Sequence, residues 1–145
     1  MRVELRSQNF DPWQEIQQFQ NSQPQLTGKY GATSIFVGTM RDFNEGADVS
    51  AMNLEHYPAM TQKHLEKISS EAIQRWNILE TLIVHRYGEL LPNDPIVLIA
   101  VWSAHRADAI PACSYLIEEL KSRAPFWKKE SVENNTRWVA KNTPS

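Results

Sequence analysis

The segment Pro95–Ser103, PIVLIAVWS, is an almost unbroken apolar run. A strand with one wet face alternates apolar and polar residues. A continuous run of this length, rich in branched side chains, reads instead as a strand buried on both faces. Its apolar stretch, Ile96 to Trp102, is the longest in the chain and far too short for a membrane span. The chain has 145 residues, enough for a real core, and is read as one domain, residues 1–145.

The segments around this strand alternate between the two periodicities. Val3 to Arg6 alternates as a short strand. Asp11 followed by Pro12 reads as a helix N-cap and first helical position, with the helix running to about Gln20. Residues 21–29, with Pro24 and Gly28, read as a loop. Tyr30 to Met40 and Val49 to Tyr57 read as strands. Between them Arg41 to Asp48, with Asn44 and Gly46, reads as an exposed, mobile loop. Pro58 opens a helix to about Trp76, with Leu65, Ile68, Ala72 and Trp76 on one face. Leu79 to Val84 is a strand and Leu91 to Asp94 a turn. A helix follows from Arg106 to Ser122, with Ile110, Cys113, Ile117 and Leu120 on its buried face. Pro111 is tolerated only near a first turn, so it argues for a later start. Phe126–Val132 and Thr136–Val139 close the chain as strands. Strands adjacent in sequence and mixed with helices indicate an α+β fold rather than a doubly wound sheet.

The chemistry concentrates in Leu120–Glu130, LKSRAPFWKKE. Lys121, Arg123, Lys128 and Lys129 surround Phe126 and Trp127 in a chain whose net charge is -2. Such a run is either a solvated face or a site for an anion; Pro125 and the two rings favour the site. In an extended Phe126–Glu130, Lys128 and Glu130 share one face while Trp127 and Lys129 share the other. Lys121 ends the preceding helix, so Lys121 and Lys128 can converge on one pocket. A lysine beside other cations has a lowered pKa and a usable neutral amine. The plainer reading of Lys121 is a cation complementing a helix C-terminus.

Ser103-Ala104-His105-Arg106 joins the buried strand to a helix, where free N–H groups favour anions; the alternative is a capping turn with a surface arginine. Arg41 opens its loop as a possible phosphate clamp or a solvent-facing arginine. His56 and Tyr57 read as core or hydrogen-bonded structural residues. His64 and His85 lack metal-ligand spacing, and no metal site is expected. There is no P-loop, no G-x-G-x-x-G and no nucleophile elbow. The single cysteine, Cys113, excludes an internal disulfide and a cysteine-cluster metal site, and its place on an apolar helix face makes it inert. The opening MRVELRSQNF has polar residues where a signal peptide needs an apolar block, which points to a cytoplasmic protein. A pI near 6.1 disfavours a general nucleic-acid binder.

GTMRDFNEG, LEHYPAM, HRYGELLPND, SAHR, LKSRAPFWKKE and RWV follow one another from Gly31 to Val139. In these segments the chain resembles the catalytic (large) subunit family of molybdopterin synthase. It departs from the family's pattern at Phe43, where relatives often carry histidine, at Pro111, and in a short tail after Trp138. The resemblance implies an α+β fold of the α/β-hammerhead type, with mainly antiparallel strands and three helices. It implies conversion of cyclic pyranopterin monophosphate (precursor Z) to molybdopterin. Both dithiolene sulfurs would come from the thiocarboxylated C-terminus of a small ubiquitin-like subunit. A homodimer within a heterotetramer is implied, with no cofactor. Catalytic roles fall on Lys121 and Lys128, and substrate-binding roles on Arg41, His105, Arg106, Lys129 and Glu130. The other readings of the basic pocket are a non-catalytic adaptor for a partner's C-terminal tail and, more weakly, a single-stranded nucleic-acid binder stacking bases on Phe126 and Trp127.

Overall fold

In a computed structural model, which describes residues 1–44, 47–132 and 135–138, the apolar run is an interior strand of a four-stranded sheet. The elements in chain order are β1 (Arg2–Arg6), α1 (Pro12–Asn21), β2 (Ala32–Thr39), β3 (Phe43–Asn44), β4 (Ala47–His56) and α2 (Pro58–Arg75). There follow β5 (Glu80–Arg86), β6 (Gly88–Leu90), β7 (Pro95–Ser103), α3 (Arg106–Arg123), β8 (Phe126–Val132) and β9 (Asn135–Trp138). The first sheet has the order β1-β5-β7-β2, antiparallel except for the β1–β5 pair. The second runs β3-β4-β8-β9, with β6 also paired to β4. Among the described residues the fold is thus α+β, with three α-helices and mainly antiparallel strands.

Burial on both faces of β7 is what the run requires. Val97, Ile99 and Val101 pack with Ile83 against Leu65, Ile68 and Ala72 of α2 and Ala112, Leu116 and Leu120 of α3. Leu98, Ala100 and Trp102 face the other way, onto Phe10, Phe19 and Leu26. On that side the α1 cap is as expected: the Asp11 carboxylate accepts from the Trp13 amide at 3.0 Å. The Trp102 indole N–H, drawn into the core by its ring, donates to Gln20 Oε1 at 3.0 Å. Among the described residues no helix is long and apolar enough to cross a membrane.

Several local expectations are corrected. The segment after Arg41 is not simply a loop, because Phe43–Asn44 pairs with Ala47–Asp48; Gly46 lies outside the described residues. A short turn of 3-10 helix, Pro24–Leu26, interrupts the expected loop and buries Leu26. β6 is an additional strand, held through pairing to β4. Tyr57 is 60% exposed rather than part of the core. In α3 the buried stripe runs through Ala109, Cys113, Leu116 and Leu120, and Ile110 lies off it at 58% exposure. The helix does begin at Arg106 despite Pro111. The ring deletes only the bond to the Ala107 carbonyl, one turn in, and the core contacts of the following residues hold the helix. The Val139 end expected for the last strand, and the tail beyond it, lie outside the described residues.

Candidate active site

A cavity of about 230 Å³ opens where the C-terminal end of α3 meets β8 and the end of β2. Its walls are apolar, among them Phe36, Leu54, Ile96, Ile117, Leu120 and Phe126. Its polar side chains are Thr39, Arg41, His85, Lys121 and Lys128.

Each cation is placed by a local constraint. Lys121 lies in the last turn of α3, where the carbonyl end of the helix favours positive charge. Ala124 leaves the helix in an extended conformation, as a residue before proline must. Phe126 then donates its amide to the Ala124 carbonyl at 2.9 Å. That tight turn sends β8 back along β4, where Lys128 pairs with the buried Leu54. Arg41 follows the irregular end of β2, fixed by Met40. The Met40 amide donates to the Asp94 carbonyl and its carbonyl accepts from the Asn93 amide, both at 2.9 Å. Gly38 also lines the cavity, and a Cβ there would stand 2.8 Å from Val97 Cγ1, too close without a shift of that side chain. Phe43 lies under the Arg41 guanidinium at 5.0 Å. A cation over a ring face is attracted by the ring quadrupole, so Phe43 steadies Arg41.

Strand alternation sorts the LKSRAPFWKKE segment. Phe126 and Lys128 line the cavity, and Glu130 is buried on their side with Arg137 Nε at 3.7 Å. Burial lowers the Lys128 pKa, with the charge of Lys121 and then of Arg41 adding to it and Glu130 opposing. Lys129 turns to the other face and sets its ammonium 5.5 Å from the Trp138 ring centre. It does not line this cavity of its own chain. The Trp127 side chain lies outside the described set.

His105 and Arg106 are not brought to the cavity either. Both are exposed at the start of α3, and fifteen residues of helix put Arg106 about 22 Å from Lys121. The expected pocket uniting Arg41, His105 and Arg106 is therefore not formed within one chain.

His85 is the lining residue that sequence reasoning passed over. It lies two positions beyond Ile83 on β5 and so points to the same side of the sheet, toward α3; that alternation, and its place at the head of the segment HRYGELLPND, were the signals. Its ring stacks on Phe126 at 3.9 Å and 14°, and His56 stacks beyond. Burial pushes its pKa down to about 4 against the pull of the Arg86 carbonyl, with the charges of Lys128 and His56 adding to the fall. Phe126 is thus a wall of this stack and not an open platform for a base. Among the described residues no three His, Cys, Asp or Glu side chains are grouped to hold a metal ion.

The model of the MoaE protein family matches residues 5–123. A molybdopterin synthase catalytic subunit from Ralstonia nicotianae is 46% identical over 137 residues, which cover 94% of this chain and 76% of that protein. The chain belongs to the MoaE protein family. A MoaE structure from Burkholderia ambifaria has 44% identity and a TM-score of 0.80, over 98% of this chain and 91% of that one. The molybdopterin synthase structure from Staphylococcus aureus has 32% identity and a TM-score of 0.82, over 97% and 98%. MoaE membership places the chain among the enzymes of molybdopterin biosynthesis and disfavours the adaptor reading. The family match includes Arg41, His85, His105, Arg106 and Lys121 and ends before β8; Lys128 lines the cavity.

Proposed function

We propose that this chain is a single-domain, cytoplasmic catalytic subunit of molybdopterin synthase that converts precursor Z to molybdopterin. The sulfurs arrive as the thiocarboxylated C-terminus of a small ubiquitin-like partner, in a heterotetramer built on a homodimer of this chain. The observation that carries the reading is the convergence of Lys121, Lys128 and Arg41 on one largely apolar cavity in a MoaE family chain. Apolar walls suit a flat heterocycle, and three cations suit its phosphate and a thiocarboxylate.

Lys121 and Lys128 orient the thiocarboxylate and stabilise negative charge as its sulfur displaces an oxygen substituent from the substrate carbon; water then cleaves the acyl–sulfur bond, which leaves the sulfur on the substrate and a carboxylate on the partner. The lowered Lys128 pKa makes its amine able to exchange a proton during that step. Glu130, buried on the same face, moderates Lys128 by its charge. His105 and Arg106, some 22 Å from Lys121 along α3, serve the cavity of the neighbouring protomer in the dimer.

The test is reconstitution with precursor Z and the thiocarboxylated small subunit. Dithiolene product is expected with the wild type, and its loss in Lys121→Ala with the fold intact. Normal turnover in that variant, or no product from the wild type, refutes the reading.

A further inference from the structure

The cavity's polar side chains are badly unbalanced. Arg41, Lys121 and Lys128 donate hydrogen bonds and, while protonated, accept none. A heterocycle with ring N–H or amino groups brings donors of its own, and a buried donor without an acceptor is costly. Among the described side chains lining the cavity, only Thr39 and His85 can accept. Thr39 is exposed at the rim, whereas His85 is 4% exposed.

The state of the His85 ring follows from its neighbours. Nδ1 lies 2.8 Å from the Arg86 carbonyl oxygen. A carbonyl only accepts, so Nδ1 carries the proton and donates, which leaves Nε2 as a lone-pair acceptor. β5 is paired on both sides, to β1 and β7, and the Phe126 stack holds the ring plane. The nitrogen is thus fixed in position and in tautomer before any ligand arrives.

We propose that His85 is a specificity-determining residue whose Nε2 accepts a hydrogen bond from an N–H of the substrate's heterocycle, while the cations take its anionic groups. This rests on the functional reading above and adds the group that tells a pterin phosphate from a simple phosphate. Burial and the nearby Lys128 keep the imidazole neutral at physiological pH, so the acceptor persists there.

The test compares the wild type, His85→Phe and His85→Gln in the assembled enzyme, with precursor Z and inorganic phosphate as separate probes. Phenylalanine keeps the stacking shape without the acceptor, and the glutamine amide oxygen restores one near Nε2. Precursor Z affinity should fall about tenfold in His85→Phe and largely return in His85→Gln, with phosphate binding unchanged. KM should rise with little change in kcat, because the contact is made equally before and during reaction. Wild-type precursor Z affinity in His85→Phe, or equal losses for both probes, overturns the proposal. If the wild type itself binds no precursor Z, the functional reading fails and this falls with it. Should His85→Phe not fold, the ¹⁵N resonance of Nε2 in the wild type decides. Movement with precursor Z but not with phosphate supports the proposal, and an unmoved resonance overturns it.

Discussion

Lys121 and Lys128 line the same cavity, and the charge of Lys121 adds to burial in lowering the Lys128 pKa. One lysine is thus tuned by a protein wall and by a second lysine carried on a different element. Replacing Lys121 by glutamine removes the repulsion, so the Lys128 pKa should rise. An NMR titration of the Lys128 ε-methylene should show its midpoint moving to higher pH in Lys121→Gln. A midpoint unchanged or moved down would mean that the two charges do not interact.

Lys128 and Lys129 are chemically identical neighbours on opposite faces of β8. Lys128→Ala should lower kcat by about 100-fold or more, the usual scale for removing a proton-transfer group. Lys129→Ala should stay within about threefold of wild type, having lost only an exposed cation–ring contact. Steady-state rates with both variants folded check this; equal rates would refute the assignment.

Arg106 and Lys121 lie at opposite ends of α3, which makes their cooperation testable by mixing. Lys121→Ala and Arg106→Ala should each be inactive alone. Subunit exchange between them should restore about a quarter of wild-type activity, since half the dimers are mixed and each has one intact site. No recovery after verified exchange would remove Arg106 from the neighbouring site.

His85 should make the fold acid-sensitive. Its ordinary pKa of 6.5 falls to about 4 in the folded chain, through burial first. Between those values the unfolded state holds the extra proton, so acid favours unfolding. The contribution is fully present above pH 6.5 and is lost as pH falls toward 4, amounting to roughly 3 kcal/mol. His56, also lowered by burial, acts in the same sense. Urea unfolding at pH 7 and pH 4.5 should show a shallower pH dependence in His85→Gln than in the wild type. An identical dependence would show that the ring is not buried neutral.

Cys113→Ala should keep most of its sulfur-transfer activity. The thiol is buried beside Leu116 and Ile117, and burial raises its pKa, which makes it a poor relay. A stability loss on the order of 1 kcal/mol is expected from the one lost heavy atom. A persulfide trapped on Cys113 by mass spectrometry during turnover would show that sulfur passes through this chain.

Much of the fold was legible because its signals are local. The β7 run, the Asp11-Pro12 start of α1 and the Pro58 start of α2 each depend on a few consecutive residues. β6 was not legible: three residues form a strand only because Met52–Leu54 of β4 lies beside them. Ile110 misled for a related reason. Periodicity marks an apolar stripe, but which edge of it touches the core depends on where α2 and the sheet lie.

By itself the sequence determined the family, through residues in fixed order, and the alternation that separates Lys128 from Lys129. A strand's period of two is a property of the backbone and needs no neighbours. Only the tertiary structure decided which residues share a space. It joined Arg41, His85 and Lys128 from three separate strand regions, and it left His105 and Arg106 at the far end of a rigid helix. Adjacency across elements is set by how apolar faces pack, and that is a property of the whole core.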